Sequence, residues 1–305
     1  MTGDLQNLLA VVVTHHPDKS LGVRLESLRA QAASVLVVDN GSRDFAAVEY
    51  AAGAAGCRVI RNRANLGVAG ALNQAACLAL DEGFEWLATF DQDSLAPPGA
   101  IADLLALHAR HPCHEEIAIL AMSHRDRATG RDYHRPGDIL EEAEGWRSVR
   151  ATITSGSLTR CDLLDRLGMF DEGLFIDGVD HDLCLRCRQA GWLIVEARSP
   201  VMEHSLGAIT HRRFLWRSVP CSNHSPDRRY YITRNTLELC VRHFASDFAW
   251  SVRTAGHLVV ASLAVVMLEE ERLAKLGAIA EGVLHFALRR FGPRGGLPEP
   301  LPIGD

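Results

Sequence analysis

The chain has 305 residues, 47% hydrophobic and 23% charged, enough to bury a full core as one large domain or a domain with an appendage. A net charge of −6 and a pI near 6.2 exclude the broad basic footprint of a nucleic-acid-binding protein. Eight cysteines without disulfide-scaffold spacing, and a polar Met1–Asn7 lacking the apolar stretch of a secretory signal, point to a cytoplasmic chain with reduced, mostly buried thiols.

Leu9–Thr14 is a continuous apolar run, as expected of a strand buried on both faces. Leu21–Gln31 follows with helical spacing at Leu21, Leu25 and Leu28. Val35–Val38 reads as a second strand, ending in the turn residues Asp39-Asn40-Gly41-Ser42. Cys57–Ile60 is a third strand, Gly67–Asp81 a helix, and Trp86–Phe90 a fourth strand ending at Asp91. Pro97 and Pro98 open a helix that runs to about His108. Strand and helix alternating at this spacing predict a doubly wound α/β fold with a mostly parallel sheet. Ligands of such sheets bind beyond the carboxyl ends of the strands, where Thr14-His15-His16, Asp39–Ser42 and Asp91-Gln92-Asp93 fall.

The second half is mixed. Val149–Leu158 reads as a strand, Asp162–Leu167 as a short helix, Val179–Ala190 as a helix stopped by Gly191, and Leu193–His204 as a strand-like run. Helices are expected over Arg228–Phe244, Phe248–Leu276 and Gly277–Phe291, with a disordered Gly/Pro-rich tail from Gly292. The apolar stretch His257–Leu268, bracketed by Arg253 and Glu269, is too short to span a bilayer. The last helix sets Leu284, Leu288 and Phe291 beside Arg289, Arg290 and Arg294, which suits either a core-docked helix or attachment to a membrane surface.

Asp91-Gln92-Asp93 carries the clearest chemistry. Two carboxylates at i and i+2 repel unless solvated or bound to a cation, and their oxygens suit Mg²⁺ or Mn²⁺ bridging to a diphosphate. Asp180-His181-Asp182 opens a helix. Asp180 is either its N-cap or a base for an acceptor hydroxyl, and Asp171, Glu172 and Asp177 upstream add charge that tends to raise a nearby carboxylate's pKa. Asn65-Leu66-Gly67 precedes a helix whose amides could meet an anion, but Gly67 and Gly70 alone make no dinucleotide fingerprint, which counts against a nicotinamide-dependent dehydrogenase. Cys184 and Cys187 share a helical face without a second metal-ligating pair, and read as packing.

Together the segments VVVTHHP, VVDNGS, NRANLGVAGALNQA, FDQDS, ITSGSLTR, MFDEGLFIDGVDHDLCLRCRQAG, EHSLG and RRYYITRN, in order from Val11 to Asn235, resemble the family 2 glycosyltransferases of the GT-A fold, and among them bacterial rhamnosyltransferases. The resemblance implies a GT-A catalytic domain over 1–225 and a helical region over 226–305 for acceptor, membrane-surface or oligomer contacts. It implies that Thr14 and His16 line the nucleotide pocket, that Asp39 bonds the pyrimidine, and that Asn65 and Gly67 lie along ribose and diphosphate. Ser155 and Gly156, of ITSGSLTR, join the substrate-binding set. Asp91 lies near ribose and metal, Asp93 is the direct metal ligand, His204 helps hold metal or diphosphate, and Asp180 is the general base. Asp182 takes a substrate-side place where relatives often carry Glu.

The implied reaction is inverting, metal-dependent transfer of L-rhamnose from dTDP-β-L-rhamnose to a cell-surface polysaccharide or lipid-linked saccharide, in O-antigen-like biosynthesis at the inner face of the cytoplasmic membrane. Tyr230–Asn235 either places the acceptor or simply packs. The rivals are a transferase using a UDP- or GDP-sugar and a non-catalytic nucleotide-sugar-binding module.

Overall fold

The computed structural model describes residues 5–126, 137–204, 210–214, 217–221 and 223–296, with backbone only at Asp126 and over 203–221. They form two compact units. One holds the described residues up to Glu172 together with Asp180–His204; the other holds Gly173–Val179 and the described residues of Ser205–Gly296.

The first unit begins as β1 (Leu8–Thr14), α1 (Leu21–Arg29), β2 (Ser34–Asn40), α2 (Phe45–Ala54), β3 (Arg58–Asn62), α3 (Gly67–Asp81) and β4 (Trp86–Asp91). It continues through α4 (Ala100–Arg110), β5 (Ile117–Asp126), β6 (Ile139–Ala143), β7 (Trp146–Val149), β8 (Ser157–Arg160), α5 (Cys161–Leu167), α6 (Val179–Gln189) and β9 (Leu193–His204). Among the described residues the sheet has nine strands in the order β3-β2-β1-β4-β8-β5-β9-β7-β6. The four strands at the β3 end run parallel, and β5 with β9, while β8, β7 and β6 pair antiparallel. Every residue of β1 except Val13 is buried, as its unbroken apolar run predicts for a strand covered on both faces. Leu21, Leu25 and Leu28 of α1 enter that core beside Val35, Val37 and Val48.

The single strand expected over 149–158 is mostly loop: only its ends are strand, Val149 in β7 and Ser157 and Leu158 in β8. β7 pairs with β9, whereas β8 lies between β4 and β5. Gly156 makes the bend before β8: its φ is 76°, and a Cβ there would stand 2.8 Å from the Met202 side chain.

The second unit contains the hairpin β10 (Thr210–Phe214) and β11 (Arg217–Cys221), then α7 (Pro226–Arg242), α8 (Phe248–Leu268) and α9 (Arg272–Ala287). Ser225 caps α7 by accepting from the Arg228 amide at 3.2 Å, with Pro226 in the first turn. Gly282 brings α9 against α7, since a Cβ there would meet the Tyr230 carbonyl at 2.8 Å. The helix expected over 248–276 ends at Leu268 instead. Glu269 is buried there, bonded to Arg229 at 2.6 Å and Lys275 at 2.9 Å, and Glu271 takes a left-handed φ of 54°. A buried acid paired with Arg229 of α7 and with Lys275 six positions on thus breaks one apolar pattern into two helices. The stretch read as too short for a bilayer lies inside the 21-residue α8, which is long and apolar enough by length and composition to cross a membrane. Its Val252, Val259, Val260 and Leu263 are exposed.

Candidate active site

The strand register brings the sequence motifs to one edge of the first unit. Thr14 pairs with Asp39, and Val13 with Asp91, so β1, β2 and β4 end at the same level. The loops beyond them are tied to each other. The His15 amide donates to Gln92 Oε1 at 2.7 Å, and Gln92 Nε2 returns a bond to the His15 carbonyl at 3.2 Å. Asn40 receives the Leu66 amide at 2.9 Å and donates to Asn65 at 3.0 Å and to the Gly67 carbonyl at 2.9 Å, fixing the entrance of α3. Gly41 is required where the two loops touch: its φ is 82°, and a Cβ would lie 2.8 Å from the Ala64 carbonyl carbon.

Thr14 and Asp39 lie beneath this surface, fully buried. The Thr14 hydroxyl donates to Asp39 Oδ1 at 3.1 Å, and Asp39 Oδ2 accepts from the Ser42 amide at 3.0 Å. Ser42 Oγ in turn accepts from the His16 amide at 2.9 Å. Their visible work is to shape the turn that presents His16, an exposed residue at φ 51° whose ring accepts from the Arg43 amide at 3.2 Å. Partial desolvation, then repulsion from the neighbouring His15 and Arg43, lower the pKa of His16.

Asp91 and Asp93 sit on the turn after β4, Asp91 half-buried and Asp93 exposed. Ser155 supports that turn. Its Oγ accepts from the Asp91 amide at 3.0 Å and donates to Ser94 Oγ at 2.8 Å, while the Gly156 amide donates to the Thr89 carbonyl at 2.7 Å. Ser155 and Gly156 therefore act on the acidic turn from behind. Among the described residues no group of three His, Cys, Asp or Glu side chains is gathered to hold a metal. The backbone of His204 ends β9, and its side chain lies outside the described residues, as does Ser205–Gly207. The donors in place, two carboxylates on a braced turn with one of them open to solvent, have the hard-oxygen chemistry of a Mg²⁺ or Mn²⁺ site.

Asp180 stands in the first turn of α6, accepting from the His181 amide at 2.8 Å and the His181 ring at 2.9 Å. Burial raises its pKa, but the His181 charge and these bonds outweigh burial and hold the carboxyl below its usual value. The carboxyl is thus lowered overall and not raised as the upstream acids suggested; of these, Glu172 accepts from Asn73 at 2.8 Å and Asp177 is paired with Arg228 at 3.0 Å. Asp182, two residues on, is different. It is fully buried and bonded to Arg186 at 2.7 Å, whose guanidinium also reaches the Leu167 carbonyl at 2.5 Å and the Met169 carbonyl at 2.7 Å. That places Asp182 in the frame of α6, with no surface offered to a ligand. Cys184 and Cys187 are buried free thiols on the same helix, and burial pushes Cys187 up to about 12, so the pair packs.

Asn40, Gln92 and Ser94 lie inside the motifs named from sequence but were given no role of their own, yet they join the three loops. Their signal is a polar residue directly after a buried strand, which also marks any ordinary turn.

A histidine turn, a helix entrance and an acidic turn thus share one edge of the sheet. Residues 10–168 match the glycosyl transferase family 2 model. The chain belongs to that family and is a glycosyltransferase. It is 31% identical over 243 residues to the dTDP-rhamnosyl transferase RfbF of Shigella flexneri, covering 76% of this chain and 79% of that one. The S. aureus TarS structure with UDP-GlcNAc has the same fold, with TM-score 0.57 and 16% identity over 92% of this chain and 82% of that chain. GalNAc-T7, solved with UDP, GalNAc and Mn²⁺, aligns with TM-score 0.54 and 15% identity over 75% of this chain and 47% of that one. The architecture is thus GT-A with a helical C-terminal part.

Proposed function

We propose that the enzyme transfers L-rhamnose from dTDP-β-L-rhamnose, with inversion, to a hydroxyl of a cell-surface polysaccharide or lipid-linked saccharide at the cytoplasmic face of the membrane. The observation that carries this reading is the identity with the dTDP-rhamnosyl transferase, which runs over most of both chains. The apolar exposed side of α8 would supply contacts for a membrane surface or a second copy of the chain. On this reading residues 1–225 are the catalytic domain and 226–305 the contact region.

In the mechanism the acceptor oxygen attacks the anomeric carbon in line with the departing phosphate oxygen. Asp180 takes the hydroxyl proton, and the nucleoside diphosphate leaves with the electron pair of the broken bond. The lowered pKa of Asp180 keeps it ionised and ready to accept at neutral pH. His16, Asn65 and Gly67 receive the nucleotide at the surface, with Thr14 and Asp39 holding the turn beneath them. Asp91 and Asp93 would hold the Mg²⁺ or Mn²⁺ ion, with His204 as a further ligand; such an ion supplies positive charge against the leaving diphosphate. Turnover across a panel of nucleotide-sugars with a lipid-linked acceptor extract tests the donor. The expected result is transfer from dTDP-L-rhamnose, and preference for a UDP-hexose would overturn it.

A further inference from the structure

The first unit carries a second concavity, away from the loops around Asp91. A cleft of about 620 Å³ lies between the end of α4, the turn joining β6 to β7, and β9 at Arg198 and Ser199. That volume falls within the roughly 300–1,000 Å³ of ordinary small-molecule sites. The turn holding Asp91 and Asp93 comes before α4, whereas Arg110 and His111 stand at its far end. A helix of this length, at ~1.5 Å per residue, sets those two ends about 16 Å apart. The β6–β7 turn is fixed on β9, since the Arg198 amide donates to the Gly145 carbonyl at 3.0 Å.

Three observations define what the cleft takes. Its charged walls are unpaired. The side chains of Asp103, Arg110 and Glu144 make no hydrogen bond or ion pair among the described residues, and Arg198 meets Glu142 at 3.5 Å. With both signs in the wall, a charged ligand of either sign would meet a like charge. Hydroxyl groups meet no such penalty, because they donate to carboxylates and accept from guanidiniums. Trp146 adds an aromatic surface to the same wall, partly exposed, its ring 4.3 Å from the His111 ring at an angle of 61°. An indole beside polar groups matches a ligand whose faces are C–H and whose edges are O–H.

The third observation is a buried donor left over. His111 is 4% exposed, and its Nδ1 accepts from the Cys113 amide at 3.1 Å. Burial lowers its pKa, so the ring is neutral and carries its proton on Nε2. That nitrogen has no partner among the described residues. Buried polar groups are nearly always satisfied, and an orphan on a residue that lines a cleft calls for an acceptor from outside the chain.

We propose that this cleft binds a neutral saccharide, with Trp146 against a sugar ring and Asp103, Arg110 and Glu144 on its hydroxyls. A saccharide held here would keep an acceptor glycan on the enzyme between encounters with the donor site. That use rests on the proposed function; the binding itself does not.

The test uses the full chain with excess dTDP, so that the donor pocket is filled. Saturation-transfer NMR titrations with maltotriose, an L-rhamnose trisaccharide and a uronic-acid trisaccharide read the binding. The neutral trisaccharides should bind, and the anionic one should bind at least about tenfold more weakly. Arg110→Ala and Glu144→Gln change exposed side chains and strand no buried partner. Each should weaken the neutral probes about tenfold, the worth of one hydrogen bond to a charged group, and leave the dTDP Kd unchanged. Silence from both neutral trisaccharides at millimolar concentration would overturn the inference, as would binding that neither substitution weakens or a preference for the anionic probe. Turnover with a long saccharide acceptor separates the two readings: Arg110→Ala should raise the acceptor KM and spare kcat. If another nucleotide-sugar proves to be the donor while the trisaccharides bind as described, only the rhamnose reading fails. If transfer from dTDP-L-rhamnose stands and no saccharide binds, only the cleft fails.

Discussion

Asp180 and Asp182 are two residues apart and chemically identical, yet the structure places them differently, Asp180 partly open and Asp182 fully buried. Replacing Asp182 with Asn removes the buried charge that faces Arg186. Breaking one side of a buried pair costs about 3–5 kcal/mol. Arg186 keeps the Leu167 and Met169 carbonyls, and its side chain is 19% exposed, so hydration softens the loss. The expected destabilisation is thus at the low end, about 3 kcal/mol. Asp180→Asn touches a partly open carboxylate bonded to its neighbour His181, and should cost under about 1 kcal/mol. Transfer should fall about 10²–10⁴-fold with Asp180→Asn, the range for a lost general base, while Asp182→Asn stays within a few-fold per folded molecule. Urea unfolding followed by circular dichroism gives the stabilities, and rates normalised to dTDP-binding sites give the activities. An Asp182→Asn protein of unchanged stability and lost transfer would refute the division of roles.

Three further outcomes follow from the site. Asp93→Ala should weaken donor binding in the presence of Mg²⁺ or Mn²⁺ and leave metal-free binding unchanged; EDTA should bring wild type to the variant's level, and equal effects with and without metal would contradict the assignment. Gly41→Ala forces a Cβ to within 2.8 Å of the Ala64 backbone at a left-handed φ, so it should displace the Asn65–Gly67 loop and raise the dTDP Kd at least about tenfold by calorimetry. His181→Gln removes the charge and ring bond that hold Asp180 low against burial. A depressed carboxyl loses its proton-accepting form only as pH falls through its folded pKa, so transfer should fail at higher pH in the variant, and an unmoved acid limb would count against Asp180 as the titrating base.

Much of the first unit was legible because its signals are local. The apolar runs Leu9–Thr14 and Trp86–Phe90 located β1 and β4, and the polar residues after them fall together at one edge of the sheet. The helix Phe45–Ala54 was missed, since its alanines give little contrast between faces and its start depends on Asp44 accepting from the Ala47 amide. The 149–158 stretch looked like one strand because strand residues stand at both its ends; that these join different neighbours across a loop is a long-range fact. The same limit applies to the site. Asp91-Gln92-Asp93 could be found by motif, but that Asp39 is buried under Thr14, or that Asp182 belongs to Arg186, depends on packing absent from any spacing. The break at Glu269 illustrates it again, because its partners Arg229 and Lys275 come from different helices.

The anomeric configuration of the product tests the central account most directly. A single displacement with Asp180 as base, run on dTDP-β-L-rhamnose, gives an α-L-rhamnoside, which the one-bond C1–H1 coupling in an NMR spectrum of the purified product distinguishes. A β-linked product would mean retention, and would contradict the mechanism drawn from this site.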